Sequence, residues 1–221
     1  LSADRYHFLA AKDQNVTTVE EFVRKIKNGE KLRVVGPMTG TSEYVLFNKV
    51  LEYYGVSYET IQKNGGTFIQ AIYGDMPTLY KDRHVDYALT CVGLPGAIIT
   101  EMSLGRPSIL MSVSDACVDY FASTMGLVSR DSGLAMVPGG TYPGMPSNIQ
   151  TLAHITEILV SPKMPEDVAY VLTKILNENK PALVQMGASY EIFDPKKAAS
   201  VVQVPLHPGA ERYYKEVGTL K

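Results

Sequence analysis

The sequence predicts an α/β protein built on a mainly parallel sheet, and three observations carry that expectation. Short apolar, β-branched runs alternate with helix-patterned segments along most of the chain. A Gly/Thr/Ser loop, GPMTGTS at 36–42, joins one such run directly to a helical segment. The composition is that of an ordinary globular chain: 221 residues, 45% hydrophobic, 20% charged, net charge −2. That length allows one large or two small domains, each with its own core.

Taken in order, Tyr6 to Ala11 reads as a strand. A helix follows to about Lys27, opened by a Thr17…Glu20 pair of capping-box type. Leu32-Arg33-Val34-Val35 is a buried strand bounded by Gly and Pro. Val45, Leu46, Lys49, Val50 and Tyr53 recur at threes and fours, the face of a second helix capped by Thr41 or Ser42. Ser57 to Gln62 reads as a strand. A helix is expected from Thr67, disturbed at Gly74 to Pro77. Val85 to Val92 is a strand, Leu94 to Leu104 a helix, Ser108 to Val113 a strand and Asp115 to Met125 a helix.

After Leu134 to Val137 the texture changes. PGGTYPGMPSN is dense in Gly and Pro and predicts an ordered loop. Thr151 to Ser161 is strand-like with one acid, Glu157. Met164-Pro165-Glu166-Asp167 opens a helix to about Asn177, with Pro and acids in its first turn. The tail holds helical pieces ending in PLHPGAERYYKEVG.

Several classes of function are disfavoured. A near-neutral chain without a Lys/Arg cluster argues against nucleic acid as the main partner. No apolar run approaches the roughly 18 residues that a membrane span needs. The N-terminal LSADRYHFLAAKD lacks the basic and small-residue pattern of a signal peptide. Cys91 and Cys117 match no metal or redox spacing and read as buried apolar residues. His7, His84, His154 and His207 show no metal-ligand spacing, so neither a metal nor a cofactor is expected, and His207 before Pro reads as structural.

The 36–42 loop suits an anion. A helix start offers free N–H groups and a partial positive charge. It matches neither GxxxxGK[ST] nor GxGxxG, since no lysine follows Gly40 and Gly36 and Gly40 are wrongly spaced. Simple helix capping explains the same residues, and the loop alone does not decide.

Four segments together carry a family resemblance: GPMTGTSEY (36–44), CVGLPGAIITE (91–101), PGGTYPGM (138–145) and PLHPGAERYYKE (205–216), with the PEDVAYVLTKILNEN helix between the last two. In that order they resemble the extracytoplasmic solute receptors of tripartite ATP-independent periplasmic (TRAP) transporters, specifically the TAXI subfamily. The likeness runs over nearly the whole chain. It implies a type II periplasmic-binding-protein fold, two lobes of mixed, mainly parallel sheet flanked by helices. It also implies a small carboxylate ligand, of glutamate or 2-oxo-dicarboxylate type, in the cleft between lobes. A membrane permease would be the partner and the periplasm the location.

Members of that family carry an upstream segment of about a hundred residues, with a signal sequence in the precursor and a Gly-rich loop. By that comparison the chain is a fragment. Residues 10–135 form a complete lobe, while 1–9 and 136–221 form hinge crossings and part of the other, incomplete lobe. The 165–177 helix then presents Val168, Val171, Leu172, Ile175 and Leu176 as an apolar face needing a sheet, and self-association is expected if nothing else covers it.

The resemblance places the ligand against Thr39, Gly40, Thr41 and Ser42, against Gly93 and Leu94 after a strand, and against Thr141 and Tyr142 in the crossing loop. A carboxylate is preferred to a phosphate, because no lysine or arginine in the loop balances a dianion. Arg212 reads as a surface ion pair. No catalytic role is expected: GxSxG does not occur and Ser42 has no His partner in sequence. Two other readings stay open, a transferase on the same fold and a ligand-binding sensor domain.

Overall fold

The computed structural model describes residues 2–202 and 204–220. The chain divides into two compact units, one running Asp4–His154 and the other taking in the chain on either side of it.

The first unit is built on a six-stranded sheet. Its strands are β1 (Ala3–Ala11), β2 (Arg33–Gly36), β3 (Thr67–Gln70), β4 (Tyr87–Val92), β5 (Ser108–Leu110) and, pairing with β1, β8 (Ala153–Ile155). The order is β3-β2-β4-β1-β5. β2 runs parallel to both β3 and β4, whereas β1 runs antiparallel to β4 and β5. The sheet is therefore mixed and mainly parallel, as the alternation of elements predicts.

Alternating strand residues face two separate cores. Tyr6, Phe8, Val34, Leu89 and Cys91 pack with α1 (Val19–Lys27), α2 (Ser42–Tyr53) and α6 (Asp115–Met125) through Phe22, Phe47 and Phe121. Leu9, Val35 and Ala88 pack on the other face with α4 (Met76–Lys81) and α5 (Ala97–Gly105) through Tyr80 and Met102. A short hairpin, β6 (Met136–Val137) with β7 (Ile149–Gln150), adds Val137, Tyr142 and Met145 to that second core. Coverage on both faces explains why the strands read as continuous apolar runs.

At the amino end of β4 a charged network closes the sheet. Asp86 accepts from Arg33 at 2.8 and 2.9 Å and from Arg106 at 2.9 Å, and Arg106 also reaches Asp13 at 3.1 Å and the Val85 carbonyl at 3.0 Å.

Four sequence expectations are corrected. Ser57 to Gln62 is not a strand but the start of helix α3 (Tyr58–Lys63), because Ser57 and Thr60 form a reciprocal capping box and Tyr58 and Ile61 bury together. Thr67 does not begin a helix: it opens β3, which docks through the Thr67 N–H on the Leu32 carbonyl at 2.8 Å. The first helix is capped by Thr18, which accepts the Glu21 N–H, while Glu21 reaches back to Thr17, one residue later than the predicted pair. Of the Thr151 to Ser161 run, only Ala153–Ile155 is strand.

The second unit is helical, with α7 (Glu166–Glu178), α8 (Lys180–Met186) and α9 (Pro208–Glu216). His207 is the N-cap of α9: its Nδ1 accepts the Gly209 N–H at 3.2 Å, and its Nε2 lies 3.1 Å from the Met164 carbonyl. A Cβ on Gly209 would sit 2.0 Å from the Glu166 carbonyl oxygen, so α7 and α9 meet at backbone distance. Arg212 pairs with Glu166 at 2.9 Å and lies over the Tyr170 ring at 4.4 Å, the surface ion pair that the sequence suggests. Much of the apolar stripe of α7 faces solvent: Val168, Val171 and Ile175 are 49%, 49% and 54% exposed, while Leu172 and Leu176 are half-buried.

Candidate functional site

Parallel strands ending together create an edge where turns and helix starts gather, the usual place for ligands in α/β sheets. Here β2 ends at Gly36, β3 at Gln70 and β4 at Val92. The turns after them, 37–41, 71–75 and 93–96, line one edge of the first unit. β1 runs the other way, and its Arg5 is opposite Val92, so Asp4 begins at that same edge.

Thr41 is the N-cap of α2. Its hydroxyl donates to the Met38 carbonyl at 2.9 Å and accepts the Tyr44 N–H at 3.2 Å. Both roles of the hydroxyl are thereby used within the turn. Thr39 is exposed and accepts from the Gln70 amide at 2.7 Å, which ties the end of β3 to the loop. Gly40 and Ser42 are exposed, and the Ser42 hydroxyl lies 3.5 Å from the Glu43 carboxylate. The first-turn N–H groups of Ser42 and Glu43 have no carbonyl partner within a helix.

Gly93 and Leu94 are half-buried in the turn leading to α5. Thr141 closes its own turn, its hydroxyl donating to the Pro138 carbonyl at 2.7 Å. Tyr142 is buried, and its hydroxyl accepts the Gly96 N–H at 3.0 Å and lies 2.8 Å from His7 Nε2. The structure thus brings Tyr142 to the 93–96 turn, although the two are far apart in sequence.

A second group at the same edge has no signature in the sequence. The Cys91 thiol is 3.9 Å from His154 Nδ1, and His154 Nε2 is 3.9 Å from the Asp4 carboxylate. The Tyr6 ring lies 5.6 Å from that of His154. The Tyr73 hydroxyl donates to the Cys91 carbonyl at 3.0 Å and accepts its N–H at 2.9 Å, satisfying β4 beyond the point where β2 ends. No short-range pattern joins residues 4, 73, 91 and 154; only the strand register does.

The Cys–His–Asp composition invites comparison with a nucleophilic triad. Burial, reinforced by the negative charges of Asp4 and Glu43, pushes the Cys91 thiol well above its ordinary pKa. Nucleophilic attack needs a thiolate, and this environment opposes one. Tyr73 is raised for the same reasons, burial first and the same two acids after it. Asp4 and Glu43 thus place negative charge at this end of the sheet, with the buried Arg5 beside Asp4. Among the described residues, no group of three His, Cys, Asp or Glu side chains is placed to hold a metal, and no helix is long and apolar enough to cross a membrane.

The profile of the NMT1-like family matches residues 1–218. The chain belongs to the NMT1-like family. Among solved structures, this NMT1-like chain is similar to the periplasmic binding protein BugD, at 16% identity and a TM-score of 0.44, across 100% of this chain and 68% of that one. So distant a likeness carries no weight of its own for function.

Proposed function

We propose that this NMT1-like protein is an extracytoplasmic solute-binding receptor that holds a small carboxylate and hands it to a membrane permease, as in the TAXI type of TRAP transporter. The observation that carries the reading is the carboxyl edge of the sheet. There an exposed Gly/Thr/Ser turn at a helix start shares the edge with the Gly93–Leu94 turn, and the Cys91 thiol near them is held protonated by burial. Family membership over residues 1–218 and the four ordered motifs support it.

In this reading the ligand carboxylate lies against the N–H groups of the 39–42 turn and the hydroxyls of Thr39 and Ser42, with Gly40 allowing close approach. Thr41 shapes the turn as its cap. Gly93, Leu94 and Thr141 line the approach, and Tyr142 enters through the turn that it touches. The negative end of the sheet adds a second requirement. Asp4 and Glu43 favour a cationic group on the ligand, so an α-amino acid such as glutamate suits the edge better than a 2-oxo-dicarboxylate.

A thermal-shift comparison of L-glutamate and 2-oxoglutarate tests this. At a hundredfold excess over Kd a one-site ligand adds about 2.7 kcal/mol, several degrees for a chain of this size. L-Glutamate is expected to raise Tm more, and mass spectrometry should recover it unchanged. No shift with either compound would reject the ligand class, and turnover would promote a transferase reading.

A further inference from the structure

His7, Tyr142 and Gly96 come from β1, the hairpin loop and the start of α5, and they meet in the buried second core. The direction of their hydrogen bonds follows from one atom. His7 Nδ1 is 2.8 Å from the Arg5 carbonyl. A carbonyl only accepts, so Nδ1 carries the proton and Nε2 presents a lone pair. The Tyr142 hydroxyl, 2.8 Å from Nε2, must then donate to it. Its oxygen is left to accept the Gly96 N–H at 3.0 Å. The chain runs one way: Gly96 N–H to Tyr142, Tyr142 O–H to His7, His7 N–H to Arg5.

The fit around Gly96 is as specific as the bonding. A Cβ there would lie 2.4 Å from Val92 Cγ2 and 3.2 Å from the Tyr142 hydroxyl. Gly96 is also the N-cap of α5 and has no side-chain acceptor of its own. Tyr142 brings a remote acceptor to that helix start, where capping groups normally come from the adjacent chain.

We propose that Tyr142 and His7 are positioning residues that set the 93–96 turn, and with it Gly93 and Leu94, in its ligand-receiving geometry. The role rests on the binding edge proposed above. It assigns the tyrosine of the GTYPG motif to the far side of that turn, with its hydroxyl committed to protein groups. Among the described residues, the titratable partners of His7 are Arg5, on its own strand, and Tyr142, from the hairpin, and Thr90 is its cross-strand neighbour. Burial holds His7 neutral, the state the chain requires.

The experiment has one arm that needs no ligand. Hydrogen exchange of residues 93–100 is compared in wild type, Tyr142→Phe, and a control of matched Tm carrying a substitution in the first core, Ile26→Ala. Tyr142→Phe is expected to speed exchange in 93–100 at least tenfold beyond the control. Nitrogen NMR of His7 should show a protonated Nδ1 and bare Nε2 in wild type, and in Tyr142→Phe the same tautomer with the Nε2 resonance shifted by loss of its hydrogen bond. Exchange that tracks Tm alone, or a wild-type Nε2–H, would overturn the proposal. In the second arm, L-glutamate titrated into folded-fraction-matched protein should bind Tyr142→Phe at least fivefold more weakly; equal affinity would also overturn it. If wild type binds no L-glutamate, the ligand reading falls while the first arm still decides the positioning role.

Discussion

The two units of the chain treat apolar residues in opposite ways. In Asp4–His154 most of the large aliphatic and aromatic side chains lie inside, sorted by strand alternation into two cores, with exceptions such as Ile72 and Leu104 at the surface. In the other unit much of the apolar stripe on α7 is left in water, Val168, Val171 and Ile175 being exposed and Leu172 and Leu176 half-buried, while the residues α7 buries are Ala169 and Asn177. The contact with α9 is a close backbone approach through Gly209, so it needs no aliphatic stripe. Amphipathic spacing forms a helix in both units. In this chain it is the sheet, with side chains presented on both faces, that converts such spacing into deep cores.

The sharpest way to break this comparison is a matched pair of truncations. Phe47 is fully buried and meets Tyr6 and Phe8 edge-on at 5.3 and 5.1 Å. Phe47→Ala should cost about 3–5 kcal/mol in urea denaturation. Ile175→Ala on the exposed stripe should change stability by less than about 0.5 kcal/mol. Comparable losses at the two positions would mean that the α7 stripe is covered in solution.

Acid should act next most strongly, and on the first unit. Burial lowers the His7 pKa to about 4, below the value of about 6.5 for an unfolded chain. The unfolded state then binds the extra proton. The contribution is fully present above about pH 6.5 and is lost as pH falls towards 4, by about 3 kcal/mol in all. His7→Gln should flatten that part of the pH–stability curve; an unchanged slope would show that His7 does not titrate there.

The smallest effect belongs to the 36–42 turn. Thr41→Ala removes a cap and should cost about 1 kcal/mol. Because the hydroxyl is occupied by Met38 and Tyr44, L-glutamate affinity per folded molecule should stay the same. A loss of affinity at constant folded fraction would make Thr41 a ligand contact as well as a cap.

Much of the first unit was legible in the sequence because strand and helix periods were unambiguous. The strand at 6–11, the helix at 115–125 and the Thr41 cap all follow from local spacing. Ser57–Gln62 misled because Ser, Tyr, Thr and Ile suit a strand by type, whereas the decisive signal was a capping pair three residues apart. TFIQ at 67–70 is too short to declare a period by itself. In the site, the Gly/Thr/Ser turn was readable. The Gln70 tether, the Cys91–His154–Asp4 group and the His7–Tyr142 bond were not, since each joins segments that only the sheet brings together. The α7 stripe shows the converse limit: a face can be read from spacing, but what covers it cannot.

The reversed strand, held between β4 and β5 inside the sheet, also governs how the molecule can assemble. β1 precedes its partners by a long way in the chain: Arg5 pairs with Val92 and Leu9 with Leu110. β2 and β3 pair much more locally, from Arg33 to Thr67, 67 − 33 = 34 residues. Closing the longer loops costs more entropy before any contact repays it, and such non-local pairing slows folding towards milliseconds to seconds. During synthesis the β2–α2–α3–β3 segment can therefore organise first. β1 must wait unpaired until β4, ending at Val92, has left the ribosome, and for that interval it is a stretch that a chaperone would shield.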